Sequence, residues 1–411
     1  MPLSPYASLR IPDFRRLLVA NGTLTVAREA QIVVVGWQVF ELTHDPLTLG
    51  LIGLAEALPY IGVALYAGHV ADRAERRTLG IAGTIGVILS AIALLVLTLE
   101  PGAISAERVW PVYLVIALSA TARSFMRPAV FALSADVVPR ELYPNAVAWR
   151  TSMWHLAAVA GPATGGLLYG FRGPAAAYVA VIAAMVLSLL AILAVTHRAR
   201  PAIPAEVVPL GESLRIGLRF VWHEPMLLAA MTLDLFAVLF GGAVALLPAF
   251  AQLLDAGPEG LGLLRAAPAA GSILTGIAIA HRAPMRRAGA ALFASVFGFG
   301  VCMILFALSR QFWLSFAVLF ASGVFDNVSV VIRSTLLQTR TPDHLLGRVS
   351  AVSQIFIGSS NEIGAFESGV AARLMGIVPS VVFGGCMTLL VVAITAWRAP
   401  ALRRMRGMTE S

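Results

Sequence analysis

The sequence predicts an all-α membrane protein of twelve transmembrane helices in two pseudo-symmetric six-helix bundles. Three observations predict it: an apolar composition that no water-soluble core can absorb, twelve apolar runs of spanning length, and short motifs that recur at a fixed offset. Of 411 residues, 58% are hydrophobic and 13% charged, and the mean hydropathy is +0.83. A soluble chain of that size has too little interior to hide so much apolar surface, so lipid serves as the solvent. The sequence pI near 10.3 therefore implies topology signals facing anionic headgroups rather than nucleic acid. All 30 basic residues are arginine. Both cysteines, Cys302 and Cys386, lie in apolar runs. Without a cysteine or histidine cluster, neither a disulfide nor a metal site is expected.

In chain order, spanning runs fall at about 15–41, 48–70, 78–99, 109–135, 143–170 and 175–196, then 225–252, 259–281, 288–308, 312–337, 349–374 and 378–397. The opening MPLSPYASLRIPDFRR lacks a cleavable-signal pattern, so the first run stays in the fold. An even count returns both termini to one side. With the termini placed in the cytoplasm, twenty arginines fall on inside segments and only Arg108, Arg172, Arg310 and Arg373 on outside loops. Positive charge in short loops resists translocation, which favours that orientation. The longest polar interruption is His197–Glu224. It begins with Pro201, Pro204 and Pro209, then continues as SLRIGLRFVWHEP, which predicts a short amphipathic helix on the inner membrane face. The expected organisation is a bundle over 1–196, a cytoplasmic linker with that helix over 197–224, and a second bundle with a short cytoplasmic tail over 225–411.

The halves match each other. A shift of 203 aligns VPRELYPNAVA at 138–148 with TPDHLLGRVSA at 341–351, and carries Gly161 onto Gly364 and Gly166 onto Gly369. A shift of 212 aligns Leu49-Gly50-Leu51 with Leu261-Gly262-Leu263 and His69 with His281. Matches in register point to duplication, as in transporters built from repeated helical units.

Between the second and third runs lies GHVADRAERR, Gly68–Arg77, which predicts a tight, charged loop of about ten residues. Gly68, Asp72, Arg73, Arg76 and Arg77 resemble the loop between spans two and three of the major facilitator superfamily of transporters. Glu75 stands where that family usually has a second glycine, and His281–Arg287 reads as a degraded copy without the aspartate. In the fifth run, Gly161-Pro162-Ala163-Thr164-Gly165-Gly166 resembles the superfamily element associated with exporters and antiporters. Small residues there let two helices approach closely and proline loosens the backbone ladder. Ordinary close packing explains the same glycines equally well. PDFRRLL near the start, FELTHDPLTLGLIG at 40–53 and LLQTRTPDHLLGRVSAV at 336–352 resemble the siderophore- and macrolide-exporting branch of the superfamily. The resemblance covers nearly the whole chain.

That resemblance implies that spans one, four, seven and ten line a central cavity. Here they carry Arg28 and Glu29, Arg123 and Arg127, Asp234, and Asp326 and Arg333. A charge at mid-span costs about 2.5–3.5 kcal/mol on insertion scales unless paired or wetted. Arg123 and Asp326 are equivalent under the 203 shift, which suggests that they face each other across the pseudo-twofold axis. Glu29 and Asp326 are the leading proton-coupling candidates, followed by Asp234, Glu56 and Glu362. Arg28, Arg123, Arg127 and Arg333 are candidates to line the substrate cavity. Arg265 and Glu367 rank with Glu56 and Glu362 in a second tier. The competing reading is static pairing that only locks helices together. Asp72 is expected to gate, because a negative charge in a positive loop needs a reason beyond topology.

The resemblance implies a proton-driven secondary exporter of a siderophore or lipophilic drug in the bacterial inner membrane, working by alternating access. The alternatives are an importer on the same fold and a non-transporting scaffold. No nucleophile–base set marks an enzyme and no GxxxxGK[ST] element marks an ATP-driven pump. The expected partners are a small-molecule substrate, protons and membrane lipid, with no cofactor, no nucleic acid and a monomeric state.

Overall fold

The computed structural model describes residues 4–197, 210–241, 243–281, 285 and 287–407, and the regular structure in them is helical. In order the helices are α1 Pro12–Thr43, α2 Pro46–Arg73, α3 Arg76–Leu99, α4 Trp110–Asp136, α5 Tyr143–Leu193, α6 Leu210–His223, α7 Pro225–Phe240, α8 Leu247–Leu253, α9 Gly257–Ala280, α10 Ala288–Leu308, α11 Phe312–Arg340, α12 Asp343–Met375, α13 Ile377–Arg398 and α14 Pro400–Arg403. α5 breaks at Gly173, where φ 80° and ψ 175° leave helical backbone. That conformation is open essentially to glycine alone, and Pro174 starts the second arm. Nine stretches among the described residues are long and apolar enough to cross a membrane; with α5 counted as two arms, and α2 and α12 added as the helices over the predicted second and eleventh runs, they correspond to the twelve predicted spans. It is a multi-pass membrane protein.

Two boundaries differ from the sequence expectation. The stretch Gly68–Arg77 is not a ten-residue loop. α2 continues to Arg73 and α3 starts at Arg76, leaving only Ala74 and Glu75 between them. Helical hydrogen bonding satisfies the backbone more fully than an open loop would. The seventh run is also not one continuous helix. α7 stops at Gly241, and a 3₁₀ turn, Ala243–Leu246, precedes α8. Gly241 and Gly242 are poor helix formers, and Pro248 suits a fresh helix start.

Contacts divide the chain into two compact units. The first takes Met1–His44, Ala55–Glu206 and Gly257–Ala266. Within it α1 lies against α5 and α3 against α4, around a core that includes Ala27, Ala30, Val87, Ile88, Ala91, Val181 and Met185. The second takes Asp45–Leu54, Val207–Ala256 and Ala267–Ser411. Its core includes Leu233, Ala237, Leu292, Phe293, Ile332 and Leu336. α6 joins this unit: Val221 is buried with Val349 and Val352 of α12, while Arg215 and Arg219 are exposed. The predicted amphipathic helix is thus present and packed by its apolar side. Residues 198–209 of the predicted linker lie outside the described residues.

The repeat is visible in the backbone. Pro139 and Pro342, aligned by the 203 shift, precede their helices with φ −57° and ψ 146° and 144°. The same shift carries Gly173 onto Gly376, and both have positive φ, 80° and 93°. Large apolar side chains face outward along the spans, Leu89, Leu114 and Phe297 among them. Three exposed tryptophans sit at helix ends: Trp110 opens α4, Trp313 opens α11 and Trp397 closes α13. That is the distribution expected of lipid-facing helices with an interfacial aromatic belt.

Candidate functional site

Arg28 and Glu29 lie halfway along α1. The 32 residues of α1 rise about 48 Å, more than a hydrocarbon core about 30 Å thick, so a pair at its midpoint sits deep within that core. Such charges persist there only when paired or wetted, and here they are paired. Arg28 reaches Glu29 at 3.6 Å and Glu56 of α2 at 3.3 Å. Arg123 of α4 closes on the same Glu56 oxygen. Arg265 of α9 lies 3.8 Å from Glu29. The result is an alternating chain, Arg123–Glu56–Arg28–Glu29–Arg265, with every member in the first unit. Three arginines and two glutamates leave it at +1. The Nε of Arg265 is buried with no hydrogen-bond partner among the described residues.

The glycine-rich element of α5 stands directly behind this chain. A Cβ on Gly161 would lie 2.7 Å from Glu29 Cβ, and one on Gly165 would lie 2.7 Å from the Ala30 carbonyl oxygen. Gly166 faces the α9 segment instead, where an added Cβ would lie 2.9 Å from Gly262 Cα. Conversely, a Cβ on Gly262 would meet the Pro162 carbonyl oxygen at 2.5 Å. Gly161, Pro162, Gly165 and Gly166 therefore hold α5 against both the Arg28–Glu29 turn of α1 and the helix that carries Arg265. Contacts this close are possible only between backbones without side chains, the device common to membrane helix crossings.

The second unit has its own, smaller set. Arg333 of α11 pairs with Asp234 of α7 at 2.5 Å, and its Nε donates to Ser329 Oγ at 3.3 Å. Asp326 lies two turns before Arg333 on α11 and makes no hydrogen bond or ion pair among the described residues. Two aspartates and one arginine leave this set at −1. The glycine packing is repeated: Gly364 abuts α7, where a Cβ would lie 2.8 Å from the Leu239 carbonyl oxygen. Gly369 faces Gly50, where a Cβ would lie 2.8 Å from Gly50 Cα. Glu362 sits at the neighbouring crossing with Gly53.

The predicted site residues thus form two groups. Arg28, Glu29, Glu56 and Arg123 join in one, and Asp234, Asp326 and Arg333 in the other. Arg123 and Asp326, equivalent by sequence, belong to separate networks. Arg127 is exposed and joins neither. At the α2–α3 junction, Arg76 pairs with Asp136 at the end of α4, and Arg77 donates to the Leu193 carbonyl oxygen at 2.7 Å. The side chains of Asp72 and Arg73 lie outside the described residues, as do residues 282–284 and 286 of the degraded copy. The sequence reading missed three partnerships. Arg265 forms an ion pair with Glu29 at 3.8 Å. Tyr169 donates to Glu41 at 2.7 Å. Asp13 accepts from the Thr196 backbone and hydroxyl and from the His197 backbone at 2.8–3.1 Å, tying the start of α1 to the chain just past α5. Only the lone polar residues in apolar runs, Arg265 and Glu41, gave a signal.

The family of transmembrane secretion effectors matches residues 3–409. The chain belongs to this family, within the major facilitator superfamily. It is 27% identical over 398 residues to the enterobactin exporter EntS of Shigella flexneri, covering 96% of this chain and 93% of that one. Against EntS of Escherichia coli O1:K1 the identity is again 27%, covering 96% and 94%. Among solved structures it resembles a POT family transporter in complex with 5-aminolevulinic acid, with a TM-score of 0.73 at 11% identity, covering 95% and 96%. It also resembles a bacterial homologue of the human lysosomal transporter Spinster in an inward-facing, unoccupied conformation, with a TM-score of 0.72 at 14% identity, covering 95% of each chain. These likenesses share the fold. The protein is a membrane transporter of the secretion-effector family.

Proposed function

We propose that the protein exports a siderophore or lipophilic drug across the bacterial inner membrane in exchange for protons, as a monomer with both termini in the cytoplasm. The observation that carries the reading is the chain Arg123–Glu56–Arg28–Glu29–Arg265. Each carboxylate in it is shared by two arginines from different helices. Protonation of Glu29 removes its attraction for Arg265, and Arg265 sits one turn beyond the Gly262 contact with Gly166. A proton thus removes the ionic contact between α9 and α1 one turn from the packing contact between α9 and α5, which biases a two-state equilibrium. Relatives named as exporters and the glycine element of α5 support the outward direction. The +1 network and the unpartnered Arg265 Nε suit a substrate with anionic oxygens.

The test is transport in proteoliposomes carrying an imposed proton gradient, across a panel of siderophores and macrolides, with and without an uncoupler. Substrate movement should follow the gradient and stop when it is dissipated. Glu29→Gln with Asp326→Asn should abolish the pH dependence. Transport that ignores the uncoupler, or pH-driven transport that survives the double substitution, would refute proton coupling.

A further inference from the structure

A second charged feature lies at the beginning of α10, remote in sequence from both mid-span networks. The C-terminal segment folds back there. Leu402 is fully buried and Met405 nearly so, both in the core with Ala288, Leu292 and Phe293. The Gly289 backbone N–H donates to the Met405 carbonyl oxygen at 3.2 Å, and Gly289 is hard against the Leu402 carbonyl with no room for a Cβ. The segment is therefore anchored by its apolar residues, and the arginines between them are presented outward. Arg287, Arg403, Arg404 and Arg406 line one cavity of about 540 Å³, with Ala290 and Met405 as its apolar lining. Among the described residues, no acidic side chain lines it and none of the four arginines makes an ion pair. Elsewhere arginines at helix ends do find partners, as Arg76 and Arg77 show.

We infer that this cavity binds a phosphate group, with an anionic lipid headgroup as its source. Four guanidiniums supply forked donors suited to phosphate oxygens. The first turn of the 21-residue α10 adds the positive end of the helix dipole, its Gly289 N–H being already held by the Met405 carbonyl. Because α10 is a membrane span, its first turn lies at a membrane surface, where headgroup phosphates are concentrated. Charge bias alone predicts arginines on this side of the membrane. It does not predict four of them converging, without a counter-charge among the described residues, on a cavity built from two segments more than a hundred residues apart.

The experiment uses the full-length protein purified in a neutral detergent and scored for bound lipid by native mass spectrometry. Phosphatidylglycerol is compared with phosphatidylcholine, and a separate arm adds inorganic phosphate as competitor. Wild type should retain phosphatidylglycerol preferentially. Arg403→Gln, Arg404→Gln and Arg406→Gln together should weaken retention by roughly fivefold per arginine removed. The same charge removed elsewhere, by Arg10→Gln, Arg15→Gln and Arg140→Gln, should leave it unchanged. Retention of phosphatidylglycerol that millimolar phosphate does not disturb supports the lipid. Displacement by phosphate supports the site with free phosphate as its ligand. Equal losses in both triple variants, or no preference for phosphatidylglycerol, would overturn the inference. Should the C-terminal variant unfold, Arg287→Gln alone gives the same readout without touching the tail.

Discussion

In the first unit, each mid-span glutamate is held by two arginines. In the second, Asp234 has Arg333, and Asp326 has no ion pair among the described residues. The helices that carry these charges are packed by the same means in both places. Gly161 crosses α1 as Gly364 crosses α7, and Gly166 meets Gly262 as Gly369 meets Gly50. Both repeat shifts read from the sequence, 203 and 212, are needed to turn one contact into the other. The scaffold has therefore kept its duplicated form while the charges diverged. One set is saturated and net positive, and the other is unsaturated and net negative. Packing is constrained by backbone geometry at several points together, whereas a charge changes with one substitution.

The comparison breaks most directly at Glu56. Glu56→Gln removes the carboxylate that Arg28 and Arg123 share. Removing one member of a buried ion pair costs about 3–5 kcal/mol, so the thermal unfolding midpoint in detergent should fall sharply and purified yield with it. The double variant Glu56→Gln with Arg123→Gln should recover part of the loss, since it also removes a charge that needs compensation. In the second unit, Asp234→Asn should be costly for the same reason. A Glu56→Gln protein as stable as wild type would mean that the chain of charges is hydrated rather than paired.

Next in size are the glycine contacts. Gly166→Val and Gly369→Val each force a branched side chain into a backbone-to-backbone contact, where overpacking typically costs about 1–3 kcal/mol. If the duplicated contacts carry equal structural weight, the two losses in thermal stability should agree. A large effect at Gly166 and none at Gly369 would show that the glycine element of α5 has become specialised.

These sites also mark how far the sequence could be read. The crossings were legible because lipid demands long apolar runs. The predicted 288–308 coincides with α10, Ala288–Leu308, and the turn at Gly173 falls between the predicted fifth and sixth spans. The pairing of charges was not legible. Glu56 lies 67 residues from Arg123 and 28 from Arg28, and sequence spacing cannot say which faces of three helices meet. The break after α7 was hidden for another reason: hydropathy stays high through Gly241 and Gly242, and only their poor helix propensity hinted at it.

A smaller effect on stability is expected at Asp326. Asp326→Asn breaks no ion pair among the described residues, so it should shift stability by less than about 1 kcal/mol, in contrast to Asp234→Asn one helix away. Its effect should appear in transport, as a flattened dependence of rate on the imposed proton gradient. Loss of stability comparable to Asp234→Asn would place Asp326 with the static pairs.

The smallest stability change belongs to Arg76, in a junction whose copy in the second half, His281–Arg287, keeps its arginines but has lost the aspartate. Arg76 and Asp136 are both partly exposed, at 21% and 27% of the side chain, and pairs of that kind contribute about 0.2–1 kcal/mol. Arg76→Gln should therefore leave the unfolding midpoint nearly unchanged. If the junction only orients the chain in the membrane, transport by correctly inserted protein should also be unchanged. If it latches the ends of α3 and α4 during the transport cycle, the rate should fall several-fold at unaltered stability, and Asp136→Asn should reproduce the fall. Measuring rate per correctly oriented molecule, by labelling a terminal tag from one side of the vesicle, separates these outcomes.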